Sequence, residues 1–308
     1  MGINVLSLFD GMSCGQIALE RAGIKVDNYF ASEIDKHAIK VTKHNYPNTI
    51  HIGDVTKVKY ENGTLYTENG NYEVVIDLII GGSPCQDFSI ANTMSCKFSD
   101  DSIGLNGQKS SLFYHYLRIL EGVKEHNPEV HWLLENVKMR KGCKQELDKY
   151  LGVDGVYINS KLVSFQNRPR YYWSSIPFVA PEDKNRSFQN YKEGGDLTEY
   201  KLKATPSRIK MWNNGQGRNS ASYGCANVTF ADKIQCLTTK QDRCPNSGLV
   251  QYEDFCRYLT RKELESAQTV PLGYTECLSY NQACSVLGNG WTVDVIAHIF
   301  NGLLDENL

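Results

Sequence analysis

The sequence predicts an α/β fold built on a mostly parallel sheet. Two observations carry this. Short apolar strands alternate with helix-spaced apolar residues through the first half of the chain, a pattern that suits strands covered on both faces. The character then changes after Trp173, where Asn, Gly, Ser, Lys and Tyr become frequent and regular periodicity fades. Taken in order, Val5 to Phe9 reads as a first strand, and Gly15 to Gly23 as a short helix ending at glycine. Val26 to Ser32 is a second strand, and Asp35 to His44 a second helix that stops before Pro47. Val74 to Ile80 is the most apolar strand and runs into Gly81-Gly82. Ser111 to Lys124 is helical, with Leu112, Tyr116, Ile119 and Val123 at helix spacing. His131 to Leu134 is a further strand, ended by Glu135-Asn136-Val137, and the two arginines of Arg168-Pro169-Arg170, two apart, are expected on one face of a strand. Thr260 and Glu263 form a capping box before a helix, and a last helix follows Thr292.

The expected organisation is a domain over residues 1–173, a smaller domain or large insertion over 174–256, and a segment over 257–308 that packs back on the first sheet. At 308 residues and 41% hydrophobic, the chain can bury a sizeable core. The apolar opening around Val5 is far too short to cross a membrane and lacks signal-peptide flanks, so nothing points to export. The ten cysteines contain no CxxC pair and no nearby histidine cluster, which predicts reduced thiols in a cytoplasmic chain and no metal site. A net charge of -2 does not announce a nucleic-acid partner. Residues 205–250 nevertheless hold six cations (Arg208, Lys210, Arg218, Lys233, Lys240, Arg243) against Asp232 and Asp242. On charge alone that stretch fits a solvated face as well as a nucleic-acid surface.

In open α/β sheets ligands collect beyond the carboxyl ends of strands, and several informative residues stand there. Phe9-Asp10-Gly11-Met12-Ser13-Cys14-Gly15 follows the first strand, with glycines that let a ligand approach the backbone. It is not the GxGxxG fingerprint. Glu33 ends the second strand and can accept both hydroxyls of a ribose, while Asp54 can accept from an exocyclic adenine amine and Phe9 can stack on the ring. Single acids at strand ends are usually caps; three such residues together favour a nucleoside-containing cofactor. Gly82-Ser83-Pro84-Cys85-Gln86 places a cysteine just past the most apolar strand, where it is set for chemistry rather than for core filling. With Glu135 on the next strand and the arginine pair, the set suits attack on a pyrimidine. Thiolate addition at carbon 6 of cytosine makes carbon 5 nucleophilic, and an acid near N3 limits charge on the ring.

These stretches, in this order, closely resemble the DNA (cytosine-5) methyltransferase family over almost the whole chain. Leu8 to Gly15, Glu33 and Gly53-Asp54 resemble its cofactor motifs, and Pro84-Cys85-Gln86 its nucleophile motif. Glu135-Asn136-Val137 resembles its acid motif and Gln166-Asn167-Arg168-Pro169-Arg170 its QxRxR motif. Arg257 to Pro271 and Gly288-Asn289-Gly290 resemble its last two motifs. The resemblance implies a Rossmann-like S-adenosylmethionine-dependent fold with a target-recognition domain at 174–256. It implies transfer of a methyl group from S-adenosylmethionine to carbon 5 of a flipped cytosine in duplex DNA, with S-adenosylhomocysteine as product and no metal. Cys85 would attack carbon 6, Glu135 would hold N3 and the amine, Arg168 would hold the base, and Arg170 would support Glu135. Phe9, Asp10, Gly11, Gly15, Glu33, Ile34, Asp54, Val55, Pro84 and Asn289 would form the cofactor site. DNA contacts would come from Gln86 and Ser89, in a catalytic loop running to Leu112, and from Arg208, Arg218, Thr238, Thr239, Lys240 and Arg243. The expected enzyme is a cytoplasmic monomer of bacterial or phage type; a cognate restriction endonuclease acting separately stays open.

Two positions depart from the commoner pattern. Asp10 replaces the usual bacterial alanine, in the manner of the animal de novo branch, and Asp294 stands near where many members carry proline. The short leader before Val5 favours a stand-alone enzyme over a chromatin-associated one. Three rival readings are set aside. A tRNA cytosine-5 methyltransferase should carry a Cys-Phe-Thr signature not seen here. A non-catalytic relative would normally have lost Pro84-Cys85 or Glu135-Asn136-Val137. An NAD-dependent oxidoreductase needs the missing GxGxxG.

Overall fold

The computed structural model describes residues 2–83, 112–215, 227–241 and 246–305. The chain forms two units: Met1–Ile158, Pro169–Ala180 and Ile296–Leu308 make the first, and Asn159–Arg168 with Pro181–Val295 make the second.

Unit 1 is built on a seven-stranded sheet. It opens with β1 (Ile3–Leu8), α1 (Cys14–Arg21), β2 (Val26–Ser32), α2 (Lys36–Asn45) and β3 (Ile50–Gly53). A three-stranded antiparallel meander follows, β4 (Lys59–Glu61), β5 (Thr64–Thr67) and β6 (Gly70–Glu73). Its strands are short and mostly polar, so they leave no clear pattern in the sequence. Then come β7 (Leu78–Gly81), α3 (Leu112–His126), β8 (His131–Val137), α4 (Lys141–Leu151) and β9 (Val156–Asn159). After β10 (Gln166–Asn167), which belongs to unit 2, β11 (Pro169–Ser174) completes the sheet. The strand order is β3-β2-β1-β7-β8-β11-β9. The first five are parallel, and β11 runs antiparallel to β8.

Alternation along the strands sorts the two faces. Leu6, Leu8, Phe30, Ile79, Trp132 and Leu134 join Phe113, Tyr116 and Ile119 of α3 in the main core. The intervening residues Ser7, Tyr29 and Ile80 face α1. Gly15 shows how closely that helix is seated, because a Cβ there would stand 2.4 Å from Ile80 Cδ1 and 2.8 Å from Tyr29 Oη. Asp35 caps α2 as its sequence suggests, accepting from His37 N at 2.8 Å.

Three strand expectations need correction. Only Leu78–Gly81 of the apolar run from Val74 pairs as a strand. Upstream, the chain bonds elsewhere: Val75 O accepts from the Asn4 side chain and Ile76 O from that of Asn127. Strand β8 does not end at Leu134 but continues to Val137, because β11 pairs alongside it, Tyr172 opposite Glu135 and Arg170 opposite Val137. Arg168 and Arg170 do not share a strand face. The ladder breaks between them, since β10 pairs with β12 (Ile234–Gln235) and β11 with β8, and Pro169 has no amide hydrogen to continue it.

Among its described residues between 181 and 256, unit 2 has little regular structure, as the fading periodicity suggests. Helix α5 (Pro206–Gly215) and the hairpin β13 (Val250–Tyr252)–β14 (Phe255–Arg257) meet in a small core of Leu202, Trp212, Leu249, Phe255 and Cys256. Both arms of the capping box form at α6 (Arg261–Ala267): Thr260 Oγ1 accepts from Glu263 N, and Glu263 accepts from Thr260 N. The Glu263 carboxylate also takes both terminal nitrogens of the buried Arg257, at 2.8 and 2.7 Å. Helix α7 (Tyr280–Asn289) follows, then α8 (Val293–Phe300) and α9 (Gly302–Asp305). Asp294 lies in the first turn of α8, where it meets Arg186 at 3.1 Å and Lys184 at 3.7 Å. An acid there suits the helix dipole, so the departure from proline has a structural use. Of the C-terminal segment expected to return to the first sheet, Ile296–Leu308 falls in unit 1, while 257–295 falls in unit 2.

Candidate active site

The register of the sheet brings the predicted site of unit 1 into one row. Leu8 pairs with Ser32 and Gly81, Ser32 with Gly53, and Gly81 with Leu134. The next residue on each strand is Asp54, Glu33, Phe9, Gly82 and Glu135. Five residues from five parallel strands therefore emerge at the same edge, in a row about 19 Å long at the usual strand spacing. The chain winds from β1 outward through β2 and β3, then returns to lay β7 on the other side of β1, so the row crosses the topological switch point where such sheets bind ligands.

Local bonding explains the loop after β1. Phe9, Gly11 and Ser13 all have φ near +60°, a left-handed conformation that turns the chain sharply into α1. Glu33 holds the turn from the neighbouring strand: its Oε2 accepts from Gly11 N at 2.8 Å, and its Oε1 from Ile34 N and Asp35 N at 2.7 and 2.8 Å. A carboxylate oxygen has two lone pairs, so Oε2 retains capacity for a ligand hydroxyl. A Cβ built on Gly11 meets nothing within 4 Å, which leaves open space over the loop. Ile34 is 74% exposed beside it.

Asp10 points inward. It accepts from Ser7 Oγ and Tyr29 Oη at 2.7 Å each, and from Ser13 Oγ, which also contacts Thr42 Oγ1. Burial pushes its carboxyl up to about 6, with the three hydroxyl donors opposing that rise and Glu33 adding to it. Asp10 thus ties β1, β2 and α1 together beneath the loop. Asp54 caps the short 3-10 turn Val55–Lys57, accepting from Thr56 N at 2.9 Å. Val55 is 5% exposed and belongs to the core, and Gly15 serves helix packing as described.

Glu135 lies at the other end of the row, 8% exposed, with Arg170 Nε 2.8 Å from its Oε1. The next residue, Asn136, is 1% exposed and donates to Ser83 Oγ at 3.1 Å. It therefore holds the segment that leads from β7 into Pro84. Pro84, Cys85, Gln86, Ser89, Arg218 and Arg243 lie outside the described residues.

Arg168, in unit 2, is 3% exposed. Its two terminal guanidinium nitrogens donate to Cys236 Sγ, Leu237 O, Gly288 O and Gly290 O, at 2.8–3.4 Å. Gly288 is packed so closely that a Cβ would stand 2.5 Å from Thr238 C. In the same unit, Thr238 Oγ1 donates to Lys240 O, Thr239 and Lys240 are exposed, Arg208 reaches Lys203 O from α5, and Asn289 is exposed at the end of α7.

Sequence reasoning missed the Asn136–Ser83 bond and the hydroxyls around Asp10. Ser7, a polar residue inside an apolar strand, was the available signal for the second. Among the described residues no group of three or more His, Cys, Asp or Glu is placed to hold a metal, none of the six described cysteines is in a disulfide, and no helix is long and apolar enough to cross a membrane. An open cavity of about 550 Å3 between Gln16, Glu20, Asp27, Tyr29, Tyr46 and Asn48 lies at the opposite edge of the sheet, away from the row.

Residues 3–151 match the family model described as C-5 cytosine-specific DNA methylase. The DNA (cytosine-5)-methyltransferase DRM2 of Arabidopsis thaliana is 38% identical over 126 residues, 40% of this chain and 19% of that protein. The orphan methyltransferase M.Rho11sI of Bacillus phage rho11s is 33% identical over 138 residues, 44% of this chain and 23% of its own length. The matched region thus spans about a fifth of each relative. In fold, the chain is similar to the Dnmt2 methyltransferase of S. pombe, with a TM-score of 0.70 at 17% identity, covering 99% of this chain and all of that one.

Proposed function

We propose that this chain methylates carbon 5 of cytosine in a short sequence of duplex DNA, using S-adenosylmethionine, as the match of residues 3–151 to the C-5 cytosine-specific DNA methylase model supports. The observation that carries this reading is the single row of strand ends, with Glu33 and Asp54 on one side of the switch point and Glu135 on the other. The residues present fit the cofactor. Glu33 Oε2 has capacity for a ribose hydroxyl, exposed Ile34 and half-buried Phe9 offer apolar surface for adenine, Asp54 suits its amine, and the space over Gly11 is open. The bound cofactor would supply the electrophilic methyl group.

The protein's own part is to make carbon 5 nucleophilic. Arg170 keeps Glu135 oriented through its Nε contact, and Glu135 holds N3 and the exocyclic amine of the flipped base. Cys85 adds to carbon 6, and the Asn136–Ser83 bond steadies the chain just before that residue. Loss of the carbon 5 proton then expels the thiolate and restores the ring. Arg168 acts at one remove, its two terminal nitrogens holding residues 236–237 and 288–290. Arg208, Thr238, Thr239, Lys240 and, outside the described residues, Arg218 and Arg243 are the proposed DNA contacts of unit 2.

Base-resolution mapping of 5-methylcytosine after incubation with S-adenosylmethionine tests the reading. Methylation in one short duplex context is expected. Methyl transfer to tRNA with none to duplex would overturn it, as would undiminished transfer by Cys85→Ala.

A further inference from the structure

The stretch directly after the acid motif carries a run of cations that neither the site nor the recognition region has used. Lys138-Met139-Arg140-Lys141-Gly142-Cys143-Lys144 holds four positive charges and no acid. Met139 is 4% exposed and anchored in the main core, so the short link from β8 to α4 is pinned from below. Lys138, Arg140 and Lys141 are all exposed. Lys144 is committed to Asp148 at 2.7 Å, but Lys138, Arg140 and Lys141 form no ion pair among the described residues. Two tyrosines on adjacent strands shape the patch from the side. Lys138 Nζ lies 5.8 Å from the centre of the Tyr157 ring, and Lys144 Nζ 5.7 Å from that of Tyr171. Tyr157 and Tyr171 meet edge to face at 5.8 Å. Such stacking restrains long side chains that would otherwise wander.

Position gives the charge its meaning. Lys138 follows Glu135 by three residues of extended strand, about 10 Å. Arg140 and Lys141 follow as the N-cap and first residue of α4. Three like charges crowded into a short link repel one another, and a polyanion relieves that repulsion. We infer that Lys138, Arg140 and Lys141 form a phosphate-binding subsite for the backbone of duplex DNA, beside the nucleotide whose base reaches Glu135. The inference rests on the proposed function and adds to it. The catalytic unit would itself grip the duplex backbone, independently of whatever unit 2 reads. Contacts of this kind position the duplex and carry no sequence information.

The test is the salt dependence of binding to a fluorescent duplex, followed by anisotropy between about 50 and 300 mM KCl. Each phosphate contact contributes about 0.9 to the slope of log affinity against log salt. The variant K138Q/R140Q/K141Q should therefore lower the slope by roughly two to three and weaken binding about tenfold or more near 0.1 M salt. Its sequence preference and its cofactor affinity should stay those of the parent. A control, K25Q/K43Q, removes exposed lysines at the opposite edge of the sheet and should leave the slope unchanged. A patch variant with the parent's slope and affinity overturns the inference and leaves the proposed function standing. An equal fall in the control also overturns it, because overall charge would then be the cause. A parent chain that binds tRNA but not duplex overturns both.

Discussion

Asp10 offers the sharpest test of the buried chemistry beneath the loop after β1. Its carboxyl is raised from 3.8 to about 6 by burial. Between those values the folded chain keeps a proton that the unfolded chain has lost, so stability is full below about pH 4 and falls as pH rises through 6. Each tenfold change in proton affinity corresponds to about 1.4 kcal/mol, so ionising Asp10 costs the fold on the order of 3 kcal/mol. Asp10→Asn removes the titration but keeps one acceptor and one donor for Ser7, Ser13 and Tyr29, much as the protonated acid does. Urea unfolding at half-unit steps from about pH 4 to 7.5 should show the variant gaining on the parent by up to about 3 kcal/mol, most steeply between pH 4 and 6, then levelling. The same series on Tyr29→Phe, which deletes one donor to the carboxylate, should move the parent's fall to higher pH. A difference between Asp10→Asn and the parent that stays flat across the range would refute the reasoning.

Three further outcomes follow from the geometry. Glu135→Gln should slow single-turnover methyl transfer by about a hundredfold or more with cofactor binding unchanged, since the ring loses its acid partner and Arg170 its charge partner; a parental rate would remove Glu135 from that role. Arg168→Ala should destabilise the chain by about 2–4 kcal/mol, because four acceptors in unit 2 lose a buried cation donor, and Arg168→Lys should restore only part of it, as denaturant unfolding would report. Glu263→Ala should cost about 3–5 kcal/mol by leaving Arg257 buried without its charge partner; the double replacement of Arg257 and Glu263 by apolar residues should cost less than that single change.

Much of the site was legible because its chemistry is local. Phe9, Glu33 and Asp54 announce themselves as polar or glycine-flanked residues at the close of apolar runs, and the structure finds each at a strand end. The capping box at Thr260 was readable for the same reason, since its partners lie three residues apart. What failed depended on partners distant in the chain. The polar β4–β6 meander shows too weak an alternation to stand out. Glu135 to Val137 stays in β8 only because β11, more than thirty residues on, pairs with it. Arg168 and Arg170 look equivalent on spacing, yet the change of ladder at Pro169 sends one to Glu135 and the other to the carbonyls of residues 237, 288 and 290.

By itself, then, the sequence determined the fold class and the order of the candidate site residues. Hydrophobic period, capping and motif are properties of short stretches, and they survive without knowledge of what lies beside them. The tertiary structure decided which of those residues stand in one row, what each carboxylate is bonded to, and where Asp10 buries its charge. Those depend on strand register and on hydroxyls from other elements. A register slip of one residue would turn each strand's side chains to the opposite face, and no local pattern reports which register neighbouring strands adopt.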